Sequence, residues 1–175
     1  MEARDRNGLT EREYLAEYAT KNYPRPYLTA DLVLFAPDPL SVLLIRRGGH
    51  PCLGKWAFPG GFVEPNESAF DAALRELSEE TGVDAHTFDI HEIGLFSKPG
   101  RDPRGWVVTD AFFTTVRRED IRAKAGDDAA DAQWFAVTEQ PDGSLLLQSE
   151  TAQIRESDLA FDHAEILKRA LKKRE

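Results

Sequence analysis

The stretch from Gly61 to Val83, GFVEPNESAFDAALRELSEETGV, constrains this chain more than any other. Ser68 is a good N-cap, and Asp71 three positions on gives an acidic variant of the capping box. Phe70, Ala73, Leu74 and Leu77 recur at three- and four-residue spacing and form an apolar face. Gly82 supplies the stop. The spacing therefore predicts a helix between Ser68 and Gly82. On it Glu76 meets Glu79 and Glu80 at i,i+3 and i,i+4, so the carboxylates share one face about one turn apart. Like charges so placed repel by roughly 0.2–0.5 kcal/mol per pair. Something must offset that repulsion, and a divalent cation is the natural candidate, since hard cations such as Mg²⁺ take carboxylate oxygens and keep waters and substrate phosphates in their other positions. Arg75, one turn before Glu79, is placed to pair with it. Ahead of the helix, Phe58-Pro59-Gly60-Gly61-Phe62 is a stiff turn with two residues that permit close backbone approach.

A solvated amphipathic helix accounts for REL-x-EE taken alone. It does not account for the full spacing. Gly61, Glu67, Arg75-Glu76-Leu77, Glu79-Glu80 and Gly82-Val83 occupy every defined position of the Nudix box. At ordinary residue usage, seven fixed positions match by chance on the order of a few times in a billion per start site. The chain thus resembles the Nudix hydrolases, closely over the box and more loosely from about Leu28 onward. The resemblance implies an α/β fold, an α/β/α sandwich around a mixed β-sheet. It implies Mg²⁺ (or Mn²⁺) as cofactor, with Glu76 and Glu80 as the main ligands. Glu79 would be a ligand or the base, and the Gly60 carbonyl a further ligand. Glu67 and Arg75 would hold the acidic face in place, within a frame completed by Gly61 and Gly82. Relatives often take an additional ligand or the base from an acidic loop outside the box. Here Asp127 and Asp128 are the candidates, Asp128 as the catalytic one, with Glu119 and Asp120 behind them.

The 175 residues suit one domain, and 41% apolar content argues for a packed core. Residues 1–27 read as an extension ahead of a domain over 28–175. In the extension Thr10 and Glu13 form a capping box for a short helix lined by Tyr14, Leu15 and Tyr18. Leu28–Ala36 and Ser41–Arg46 are continuous apolar runs either side of Pro37-Asp38-Pro39, as expected of strands buried on both faces. Arg46 and Arg47 follow at once, and their entry into the loop before the box favours phosphate contact over a solvated strand end. Further strands are expected over Phe88–Phe96, Val107–Val116 and, last, Ala132–Val137. Asp162 and Glu165 predict a capping box for a C-terminal helix with Ile166, Leu167, Ala170 and Leu171 inward. His163 in its first turn reads as structural.

The loop Ser97–Trp106 carries Lys98, Pro99, Arg101 and Arg104. It is similar to the downstream segment of the ADP-ribose pyrophosphatase branch, where a proline falls some sixteen positions past the box, as Pro99 does. Arg101 and Arg104 offer forked donors for phosphate or ribose oxygens. Trp106 offers a stacking surface for a base or a core side chain, the latter slightly favoured. The expected reaction is hydrolysis of ADP-ribose to AMP and ribose 5-phosphate. Two other readings fit the chain: hydrolysis of oxidised nucleoside triphosphates or another dinucleotide such as NADH, and ligand sensing on the same scaffold. Sensors of that kind carry an added DNA-binding domain, for which the roughly 40 residues after Val137 are too few.

A net charge of −9 disfavours sequence-independent binding to nucleic acid. No apolar run approaches a membrane span, the N-terminus lacks an apolar leader, and the single Cys52 has no internal disulfide partner. A cytoplasmic setting is expected, with a small nucleotide as partner and, by analogy with relatives, a homodimer.

Overall fold

The strand run Tyr27–Ala36 (β1) is buried from Thr29 onward, which puts apolar side chains on both faces of whatever sheet it joins. Its alternation sorts them. Val33 and Phe35 pack with Ile166, Leu167 and Ala170, while Leu32 and Leu34 pack with Ala72, Ala73, Leu74 and Leu77. The first set belongs to the C-terminal helix His163–Arg174 and the second to the box helix Ala69–Thr81. A helix therefore covers each face of the sheet, and the chain is an α/β/α sandwich. The computed structural model describes residues 2–121 and 129–174.

In chain order the elements are α1 (Glu11–Ala19), β1, β2 (Ser41–Arg47), β3 (Trp56–Ala57), β4 (Gly60–Phe62), α2 (Ala69–Thr81), β5 (His91–Phe96), β6 (Val107–Thr115), β7 (Ala129–Glu139), β8 (Leu145–Gln148), β9 (Gln153–Arg155) and α3 (His163–Arg174). The sheet runs β5-β6-β1-β2-β7-β8-β9, with β1 and β6 parallel and the other pairs antiparallel. It is open, not closed into a barrel. Two strands, β8 and β9, lie beyond the segment that residue pattern marks as the last strand. β7 also starts earlier than the apolar run suggests, at Ala129. The capping boxes of α1 and α2 are both formed. α1 buries none of its residues, and Tyr14 and Leu15 stand exposed. Among the described residues no helix is long and apolar enough to cross a membrane.

The feature that positions the site is a fork. β1 and β2 pair at Phe35–Val42 and Ala36–Ser41, then part. Beyond the split β1 takes β4, with Asp31 opposite Gly60 and Ala30 opposite Gly61, and β2 takes β3, with Ile45 opposite Ala57. The segment Trp56–Phe62 is thereby wedged between the two strands, and the Leu32 amide donates to the Pro59 carbonyl at 2.9 Å. Trp56 and Phe58 are buried and anchor the wedge, Trp56 edge-on to Phe135 at 4.7 Å.

Candidate active site

Helix α2 brings the box carboxylates to the mouth of this fork. Ser68 caps its first turn through the Asp71 amide, and Gly82 ends it in the left-handed region at φ 70°, ψ 12°. Arg75 ties the helix to the loop that precedes it. Its guanidinium donates to both Glu67 oxygens (2.7 and 3.2 Å), to Glu76 Oε1 (2.7 Å), to Glu79 Oε2 (3.2 Å) and to the Phe62 carbonyl (3.1 Å). The i,i+4 pair expected from the spacing is thus one part of a larger network. That network holds the Arg75 proton more tightly than usual and, with the Glu64 amide, keeps the Glu67 carboxyl below its ordinary range.

Gly60 lies where no side chain fits, and Gly61 where one would displace the Glu76 carboxylate. A Cβ on Gly60 would strike the Ala30 carbonyl and stand 2.5 Å from Asp31 Oδ1; one on Gly61 would strike the Glu76 carboxylate. The wedge can therefore press against α2. The Gly60 amide donates to Glu80 Oε2 at 3.0 Å. Burial, reinforced by the charges of Glu76 and Asp31, pushes the Glu80 carboxyl up to about 8 against the opposing Gly60 bond. Glu76 also rises because it is buried, although Arg75 works against the shift. Glu79 differs, its side chain being 60% exposed against 16% for Glu76.

The donor set suits a hard cation. Two partly buried carboxylates that repel each other, a solvent-facing third and a nearby backbone carbonyl are all oxygen ligands. Burial without full charge compensation is the situation that a divalent cation relieves. Among the described residues no group of three His, Cys, Asp or Glu side chains is drawn together in a geometry that would hold a metal ion.

A cleft opens beside Gly60 and Gly61, lined also by Asp31, Arg47, Arg104, Phe161 and His163. Of the two arginines that end β2, Arg47 lines it and Arg46 does not, because successive side chains of a strand leave on opposite sides. Arg46 instead donates to the Gly54 carbonyl at 3.2 Å. Arg104 is fixed by Asp102 through Nε (3.1 Å) and Nη2 (2.7 Å), and its guanidinium lies 4.7 Å from the Phe62 ring centre. Arg101 reaches the cleft but holds both oxygens of Asp162, at 2.6 and 2.8 Å, and its side chain is only 4% exposed. It anchors the loop, and its fork is not open to a ligand. The same contact corrects the expected cap of α3, since the Asp162 carboxylate meets Arg101 instead. Trp106 is neither core nor cleft. It is 56% exposed beside Lys98, Pro99 and Gly100, and its carbonyl accepts from the Tyr27 amide. Glu119 is exposed on a turn of 3₁₀ helix, 3.9 Å from Arg117. Asp127 and Asp128 lie outside the described residues.

Residue pattern missed Asp31. It is 7% exposed on β1, accepts from Thr109 Oγ1 at 2.6 Å and lies 3.7 Å from His163 Nε2. A lone aspartate inside an apolar strand was the available signal, since a buried carboxylate needs partners. His163 accepts the Phe58 amide at Nδ1 (3.0 Å) and stacks on that ring, and burial lowers its pKa so that it stays neutral.

The chain is similar to known proteins over most of its length. An ADP-ribose pyrophosphatase of Methanocaldococcus jannaschii is 38% identical over 146 residues, covering 83% of this chain and 73% of that protein. The ADPR responsive transcriptional repressor NtrR of Acinetobacter baylyi is 31% identical over 168 residues, covering 94% of this chain but only 60% of the repressor. Among solved structures, the NUDIX domain of Shewanella oneidensis NrtR complexed with ADP ribose superimposes with a TM-score of 0.74 at 30% identity, covering 95% of this chain and 100% of that one. The family model of the NUDIX domain matches residues 26–156, from the start of β1 past the end of β9. Box, wedge and sheet all fall inside that match, and the chain belongs to the Nudix family.

Proposed function

We propose that this protein is a divalent-cation-dependent pyrophosphohydrolase of nucleoside diphosphate derivatives, acting on ADP-ribose and water to give AMP and ribose 5-phosphate. The observation that carries this reading is the pressing of Gly60 and Gly61 against Glu80 and Glu76, beside a cleft that presents Arg47 and Arg104. The similarity to an ADP-ribose pyrophosphatase over most of both chains supports the choice of substrate.

Glu76, Glu80 and the Gly60 carbonyl would hold Mg²⁺ or Mn²⁺. Bound there, the cation neutralises charge on non-bridging phosphate oxygens and lowers the pKa of a bound water. The protein's own groups do the rest. Arg75 fixes the rotamers of Glu76 and Glu79 from behind, as residues that orient ligands do. Glu79, the exposed member of the three, takes the proton from the attacking water. Arg47 and Arg104 position the pyrophosphate by charge and fork geometry.

A second reading is a regulator that binds ADP-ribose without turning it over, favoured by the repressor's match across 94% of this chain. Product analysis separates the two. ADP-ribose, NADH, diadenosine polyphosphates and normal and oxidised nucleoside triphosphates are incubated with Mg²⁺, with Mn²⁺ and with chelator. AMP and ribose 5-phosphate as the dominant cation-dependent products are expected. Preference for a triphosphate with release of pyrophosphate would replace the substrate, and tight ADP-ribose binding without products would put the regulator first.

A further inference from the structure

Residues 160–163 lie past the end of the family match at residue 156, yet Phe161 and His163 line the same cleft as Gly60 and Gly61. Phe161 has φ 49°, in the left-handed region that is sterically costly for a bulky residue. Its neighbours hold it there. The Ala160 amide donates to the Trp56 carbonyl at 2.7 Å and the His163 amide to the Ala160 carbonyl at 3.0 Å. Asp162 is gripped at both oxygens by Arg101, and His163 is bonded to the Phe58 amide. A backbone conformation over-determined on both sides calls for a purpose, and the side chain supplies one. The Phe161 ring centre lies 5.1 Å from the Arg47 guanidinium and 5.6 Å from that of Arg104.

We propose that Phe161 is a substrate-positioning residue: its ring is the platform that holds Arg47 and Arg104 together for the pyrophosphate oxygens of a nucleoside diphosphate derivative. The proposal rests on the reading of the cleft given above and extends it to a residue outside the family match. Arg47 commits only Nε, to the Pro51 carbonyl at 2.9 Å, so its two terminal nitrogens have no hydrogen-bond partner among the described residues. Arg104 is held in plane by Asp102. A guanidinium resting on an aromatic face keeps its N–H groups directed outward in its own plane and loses less freedom when it takes up an anion. Without the ring, Arg47 would keep only its Nε bond to the Pro51 carbonyl and would need ordering at binding beside Arg104, which Asp102 and the Phe62 ring 4.7 Å away hold in place.

The test uses Phe161→Leu, which keeps apolar volume and removes the π face, and Phe161→Tyr, which restores it. Affinity for ADP is measured by calorimetry in chelator, and ADP-ribose kinetics are measured with Mn²⁺. For Phe161→Leu the ADP Kd and the ADP-ribose KM are each expected to rise about five- to tenfold. Its kcat should stay within about twofold, and Phe161→Tyr should match wild type. Should Phe161→Leu fail to fold, Phe161→Met serves the same comparison. Unchanged ADP affinity in the folded variant, a loss confined to kcat, or a tyrosine that does not rescue would overturn the platform. So would a wild-type protein that does not bind ADP. Wild-type protein that binds ADP but leaves ADP-ribose intact would sink the activity reading alone, because the ADP affinities of the variants still decide the role of Phe161.

Discussion

Glu80 gathers several constraints in one side chain. It is partly buried and close to both Glu76 and Asp31, and these push its carboxyl up to about 8 although its bond from the Gly60 amide works the other way. A carboxyl in that state is a poor surface charge and a good cation ligand, because the cation supplies the compensation that the protein withholds. Glu80→Gln keeps the shape, and its amide can still accept from Gly60 through the oxygen, so the fold should be unaffected. Its kcat with Mn²⁺ should fall about 10²-fold or more, since a ligand charge that stabilises the transition state is gone. Steady-state assays at saturating Mn²⁺ check this, and activity within a few-fold of wild type would remove Glu80 from the ligand set. Gly61 and Arg75 act at the same scale. The glycine lets the Glu76 carboxylate come against the backbone, and the arginine fixes the direction in which it points.

At the scale of elements, the site exists because the β3–β4 wedge and the segment leading into α3 meet across the cleft. The Arg101–Asp162 pair, 61 residues apart in sequence, joins the loop before β6 to that segment. It is nearly out of water on the arginine side. Removing one partner of such a pair leaves a buried charge without compensation, at a cost of about 3–5 kcal/mol. Arg101→Met is therefore expected to lower unfolding free energy by that order in urea melts, with much of the loss recovered in Arg101→Met combined with Asp162→Leu. A single variant as stable as wild type would show that the pair holds nothing in place. The prediction distinguishes Arg101, an anchor, from Arg47 and Arg104, which face the cleft.

Across the whole molecule, −9 in net charge, the buried Glu80 makes stability depend on pH and, under the proposed cation binding, on the cation as well. In the cation-free protein Glu80 binds its proton in the folded state up to about 8, against an ordinary 4.5 once unfolded. Folding is then favoured at the acidic end of that window, and the contribution is lost as pH rises through it. His163 works oppositely. Its pKa is lowered by burial from 6.5, so its contribution grows with pH and is complete above about 6.5. Above pH 6.5 the His163 contribution is complete, and Glu80 sets the slope, with Glu76, also raised by burial, acting in the same direction. Thermal unfolding in chelator should show Tm falling between about pH 6.5 and 8 for wild type, and less so for Glu80→Gln. Added Mn²⁺ should flatten the wild-type slope, because the cation favours the ionised carboxylate. Parallel slopes for the two proteins would contradict the burial of Glu80 described above.

Residue order alone dictates the box helix, its caps and the face on which Glu76, Glu79 and Glu80 sit. All of these follow from i,i+3 and i,i+4 geometry and from capping chemistry within a few residues. It also dictates that β1 is buried on both faces, which with two amphipathic helices leads to a three-layer fold. Which arginine does what depends on the folded chain. Arg46 and Arg47 are equivalent on paper until strand register assigns one of them to the cleft, and Arg101 and Arg104 until Asp162 takes the first. Asp31, Phe161 and the late strands β8 and β9 were illegible for the same reason. Their roles are set by partners distant in the chain, and side-chain periodicity carries no record of which partners the fold will bring near.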